Sequence, residues 1–95
     1  MILITDSGST KADWIALDAH GKQLFKTRTR GMNPAILTPA ELLDRLQESE
    51  DLVANKNEVD QIFFYGAGCG TNGPRKALDT LLVNYFHNSK VIVKE

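Results

Sequence analysis

The chain has little of most things that would assign it quickly. It has one cysteine, Cys69, among 95 residues. No intrachain disulfide can form, which excludes a disulfide scaffold and fits a reducing compartment. Its two histidines, His20 and His87, have no partner at metal-ligand spacing, so no zinc site is expected. Neither sign of charge dominates: 11 Lys and Arg stand against 12 Asp and Glu, a net charge of −1. Without a basic excess to neutralise phosphates, a dedicated nucleic-acid binder is not expected. No apolar run approaches the ~18 residues of a membrane span, so no membrane partner is expected. Met1–Ile4 passes directly into Thr5 and Asp6. With no basic stretch and no long apolar core at the start, no signal peptide is read and a cytoplasmic protein is expected. There is no internal repeat, linker or low-complexity tract, and the length suits one domain.

What is present is a change of hydrophobic period along the chain. Met1–Thr5 is an apolar run that reads as a strand buried on both faces. Ala12–Asp18 and Lys22–Thr29 are further strands, joined by the Asp18-Ala-His-Gly21 turn. Lys26, Arg28 and Arg30 mark the latter as an edge strand. Thr38-Pro39-Ala40-Glu41 is a capping box. It predicts one helix ending at Asn55 or Asn57, with Leu42, Leu43, Leu46 and Val53 on its inner side. Gln61–Tyr65 reads as a strand, Gly66–Gly73 as a glycine loop, Pro74 as the opening of a second helix, and Val91–Lys94 as a last strand. A meander followed by helical crossovers predicts an α/β fold. Its sheet is five-stranded and mixed, in the order 3-2-1-4-5, with two crossover helices. The loops after the first and fourth strands then emerge side by side, where open α/β sheets bind ligands.

The segment Asp6-Ser-Gly-Ser-Thr-Lys11 occupies one of those loops. Successive amides there can form an anion-binding concavity. Gly8 leaves room for a phosphate, and Ser9, Thr10 and Lys11 add donors. A carboxylate such as Asp6 does not suit a bare phosphate, but it suits a Mg²⁺ brought by a nucleotide. The residue types alone leave a second reading open, an ordinary hairpin turn with Asp6 bonded to its own backbone. Asn33-Pro34 likewise reads as turn initiation. Gly68-Cys-Gly70-Thr-Asn-Gly73, with Glu95 downstream, matches the dinucleotide-binding fingerprint. The antiparallel start argues against a dinucleotide-binding domain. Cys69 reads as a small packing residue rather than a reactive thiol, and Trp14 as core.

DSGSTKADW at the N-terminus, between two strands, resembles the first phosphate motif (D-x-G-x-T) of the actin-like ATPase and sugar kinase superfamily. The hairpin at Asp18–Lys22, the Gly31-Met-Asn-Pro34 segment and Gly66-Ala-Gly68 after the fourth strand are similar to the branch holding N-acetylglucosamine kinase and BadF/BadG-type ATPases. The resemblance implies a ribonuclease-H-like fold, incomplete at its C-terminus, with residues 1–95 forming the N-terminal part of such a kinase domain. It implies ATP and Mg²⁺ as cofactors and an amino sugar as substrate. Asp6 would serve the metal and Gly8, Ser9, Thr10 and Lys11 the phosphates. Asn33 would contact the sugar, with Gly66, Ala67 and Gly68 lining its pocket. The family's catalytic base, an Asp, falls beyond Glu95, so this chain alone would be inactive. Two further functions stay compatible with the residues. One is a BadF-type ATPase segment; the second is a non-catalytic module that self-associates as a homodimer through its exposed surface.

Overall fold

A computed structural model describes residues 1–95. Its elements are β1 (Ile2–Ser7), β2 (Lys11–Leu17), β3 (Gln23–Arg30), α1 (Pro39–Leu46), α2 (Glu50–Ala54), β4 (Gln61–Gly66), α3 (Asn72–Tyr85) and β5 (Lys90–Lys94). The five strands form one sheet in the order β3-β2-β1-β4-β5, as the ribonuclease-H-like expectation required. β1 is antiparallel to β2 and parallel to β4, with Ser7 beside both Ala12 and Gly66.

Local chemistry accounts for most boundaries. Asp18 Oδ1 accepts from the amides of His20 and Lys22, both at 2.9 Å. Gly21 takes a φ of +81°, where a Cβ is disfavoured. These fix the β2–β3 turn. At the start of α1, the Thr38 hydroxyl accepts from Glu41 N at 3.2 Å, and Glu41 Oε1 accepts in turn from Thr38 N at 3.0 Å.

The expected single helix over 38–57 is two. Gln47, Glu48 and Ser49 interrupt it, and Ser49 caps α2 through Leu52 N at 3.2 Å. The break resets the helical phase. Leu52 therefore turns inward beside Leu42 and Leu46, while Val53, expected on the inner side, is exposed.

Handedness decides which face of the sheet is covered. The crossover from β3 to β4 and that from β4 to β5 move the same way across the sheet. Right-handed connections therefore place α1, α2 and α3 on one face. Leu3, Trp14, Ile62, Phe64 and Val93 meet Leu42, Leu46, Leu52, Leu78, Leu82 and Phe86 there in a single core. This corrects the reading of β1 as buried on both faces, because Leu3, Thr5 and Ser7 are buried while Ile4 is 38% exposed.

Trp14 anchors that core. Its ring stands edge-on to Phe64, 5.8 Å between centroids, and its indole N–H donates to Thr29 Oγ1 at 3.1 Å. Thr5 also points inward, but its hydroxyl has no partner. The two threonines thus predict opposite responses to one chemical change. Thr29→Val strands a buried indole N–H and should cost about 1–3 kcal/mol in urea unfolding, whereas Thr5→Val removes an unpaired hydroxyl and should stabilise by about 1 kcal/mol. Acid sensitivity follows from four carboxylates held below their ordinary range, Asp13, Glu41, Glu48 and Asp60, of which the last two tie distant parts of the chain together. Asp60 is held below its ordinary range by its hydrogen bond from the Met1 ammonium at 2.7 Å, against a smaller effect of burial. Burial pushes Glu48 up, but bonds from Arg30 N (3.1 Å) and Nε (2.6 Å) outweigh it and the net shift is downward. Near pH 4 and below, the unfolded chain binds more protons than the folded one. This part of the stability is complete above about pH 4–5 and fades as pH falls through the lowered values. The urea midpoint should drop between pH 6 and pH 3, by less in high salt because each pair has one well-exposed member, Asp60 and Arg30.

Candidate functional site

The carboxyl ends of β1 and β4 lie side by side, with Asp6 opposite Tyr65 and Ser7 opposite Gly66. From β1 the chain enters the turn Gly8–Thr10 and returns as β2, closed by Gly8 N donating to Lys11 O at 2.9 Å. The amides of Ser9 and Thr10 donate to no group of the chain, and both residues are exposed. The Asp6 carboxylate is exposed as well and accepts no hydrogen bond from its own turn, so the ordinary-turn reading with an Asx bond is not realised. Gly8 has no left-handed φ. A Cβ there would meet only Lys11 O, at 3.7 Å. Nothing inside the chain requires glycine at this position, and the clear space above it faces outward.

The turn is docked rather than loose. A Cβ on Gly31 would stand 2.5 Å from Gly8 O and 2.7 Å from Ser9 O, closer than any side chain tolerates. Gly31 N donates to Thr10 O at 2.9 Å, and Met32 N donates to the buried Ser7 hydroxyl at 2.9 Å. From α1, Arg45 reaches the Gly31 carbonyl at 2.6 Å. On the other side, Ala67 N donates to Ser7 O at 3.0 Å, and a Cβ on Gly66 would crowd Ser7. Sequence reasoning missed Ser7, Gly31 as a contact residue, and Arg45. The signal for Ser7 was its parity: it shares the inward face of β1 with Leu3 and Thr5.

The 31–34 segment and the glycine loop also meet each other. Gly68 has φ +84°, and the Asn33 side-chain oxygen fills the place a Cβ would take there. That oxygen also accepts from Ala35 N at 2.9 Å, so Asn33 does initiate a turn, while its amide nitrogen bonds to no group of the chain. Of the backbone groups at Gly66, Ala67 and Gly68, the Ala67 amide is already engaged by Ser7 O and the Gly66 carbonyl by Cys69 N at 3.4 Å. The structure thus brings Asp6, Gly8–Lys11, Asn33 and Gly66–Gly68 to one end of the sheet. None of the concave pockets includes the turn; it stands as an open ledge.

A dinucleotide site fares worse. The Glu95 carboxylate lies 2.5 Å from where a Cβ on Gly70 would sit. It therefore sets negative charge against the glycine that would have to admit a pyrophosphate. Cys69 is fully buried, and burial raises its thiol pKa, with Glu95 adding to the effect; it is a packing residue. No group of His, Cys, Asp and Glu is arranged to hold a metal by itself, and no helix is long and apolar enough to cross a membrane.

No family model matches the chain, and no curated protein matches it. Among solved structures it is similar to a Porphyromonas gingivalis protein named a "putative N-acetylglucosamine kinase". The two are 36% identical with a TM-score of 0.82, over 99% of this chain and 33% of that one. This chain therefore spans about a third of that relative's length. A fainter likeness, 10% identical with a TM-score of 0.44, is to ribonuclease H1 of Halobacterium salinarum, over 100% of this chain and 84% of that one. The opening motif, the strand order and the P. gingivalis likeness agree: over almost its whole length the chain is similar in sequence and fold to a third of that "putative N-acetylglucosamine kinase".

Proposed function

We propose that residues 1–95 form the N-terminal part of an ATP-dependent sugar kinase domain whose acceptor is N-acetylglucosamine or a related amino sugar. One observation carries the reading. An exposed turn with unengaged amides at Ser9 and Thr10 and an unpaired carboxylate at Asp6 is docked against the segment that carries Asn33. The residues fit a magnesium nucleotide: the donors suit phosphate oxygens and the carboxylate suits a hydrated cation.

Bound there, Mg²⁺ would neutralise charge on the transferred phosphoryl group. The chain's own contribution is positioning and electrostatics. The Ser9 and Thr10 amides, the Thr10 hydroxyl and the Lys11 ammonium would hold the phosphate oxygens, and Asp6 would orient the cation's water shell. The unused amide nitrogen of Asn33 would donate to a sugar oxygen. No residue here is assigned as the base, which is expected outside residues 1–95, and the chain alone is expected not to turn over.

Thermal unfolding tests this. At Mg-ATP about tenfold above Kd, the melting temperature should rise by several degrees. Asp6→Ala should abolish the rise, and Asn33→Ala should remove only the extra rise that N-acetylglucosamine brings. A response to NAD instead of Mg-ATP would sink the reading. A response to Mg-ATP that no amino sugar enhances would favour a BadF-type ATPase segment.

A further inference from the structure

Asp6 stands in a row of side chains that crosses the whole sheet. Residues opposite one another on neighbouring strands share a face. On the face away from the helices, Asp6 lies opposite Asp13 of β2 on one side and Tyr65 of β4 on the other. Asp13 in turn lies opposite Arg28 of β3, and Tyr65 opposite Lys94 of β5. The row therefore runs Arg28, Asp13, Asp6, Tyr65, Lys94.

Two carboxylates are neighbours within it. Cross-strand partners have Cβ atoms about 4.5–5.5 Å apart, and like charges placed so repel. The same spacing puts both within reach of one divalent cation, which one or two carboxylates hold. Only Asp6 is free. Arg28 Nε donates to Asp13 Oδ1 at 2.7 Å and bonds to no other group of the chain. Asp6 makes no ion pair, and neither does Lys94 at the far end of the row. Edge-strand protection accounts for positive charge anywhere along β3. It does not account for a guanidinium fixed on the one carboxylate that adjoins Asp6.

We propose that Arg28 is a specificity-determining residue: by occupying Asp13 it leaves Asp6 as a lone carboxylate, so a divalent cation is taken up with a nucleotide's phosphates and not by itself. The inference rests on the cation role given to Asp6 above and adds to it the discrimination between the free cation and its nucleotide complex. A single carboxylate on an open surface holds a divalent cation weakly, and phosphate oxygens supply the ligands it lacks. With Asp13 released, the pair would hold the free cation itself. Its second negative charge would also stand against the incoming phosphates.

The probe is Mn²⁺ without nucleotide, followed on the 95-residue chain by calorimetry and by paramagnetic broadening of amide resonances. The native chain should bind it weakly. Arg28→Gln should bind it about tenfold more tightly, the order of effect of one unit charge two strands away at a surface. The broadening should centre on residues 6 and 13. Arg28→Lys keeps the charge and should stay close to the native chain, whereas a purely structural pair would leave metal affinity unmoved by either change. Asp13→Asn added to Arg28→Gln should cancel the gain. Unchanged amide resonances on the helical face would show that the variants fold. The proposal is overturned if Arg28→Gln gains no affinity for Mn²⁺, if Arg28→Lys gains as much, or if the double variant keeps the gain. None of these results bears on the native chain's response to Mg-ATP, whose absence would instead sink the kinase reading.

Discussion

The site depends on the closeness with which the backbone at Gly31 approaches the turn Gly8–Ser9. The gap leaves no room for a Cβ. Two hydrogen bonds hold the pieces at that distance, Gly31 N to Thr10 O and Met32 N to Ser7 Oγ. A polar turn at the tip of a hairpin would otherwise be among the most mobile parts of a small domain. Here it is fastened at its base to the segment leaving β3 and to Gly66 and Ala67 at the end of β4. In the kinase reading, phosphate donors and sugar contacts then share one rigid floor, which is what transfer between two bound substrates demands.

The same economy appears in the layers. Both crossovers run in one direction, so one face of the sheet takes all the helices and the whole core. The other face keeps Ile4, Tyr65 and Ile92 in solvent. The turn Gly8–Thr10 stays exposed.

The sequence made the architecture readable because its signals were local and agreed with one another. The capping box at Thr38, the Asp18 turn and the apolar strands at Ile2 and Gln61 each named an element, and the handedness rule ordered them. Its errors were tertiary. Ser49 has the chemistry of a cap, but its position inside an acidic stretch hid the break between α1 and α2. An apolar run at β1 looked buried on both faces, although handedness already implied helices on one face only. At the site, the residues with recognisable chemistry were visible: Asp6, Gly8, Ser9, Thr10, Lys11 and Asn33. The ones that hold them were not. Gly31 matters because of what lies across from it in space, Ser7 because its hydroxyl turns inward, and Arg45 because α1 carries it to a carbonyl far off in sequence. None of those relations has a spacing pattern.

Amide hydrogen exchange on the Gly31→Ala chain is the sharpest measurement of the central claim. A methyl group at that position must push the Gly8–Ser9 carbonyls away. The amides at positions 31 and 32 should then exchange on the order of 10–100-fold faster, a local loss of about 1.4–2.8 kcal/mol, while those opposite Trp14 in the core keep their protection. Unchanged protection at positions 31 and 32 would contradict the account, because the turn would then owe its place to something other than that close contact.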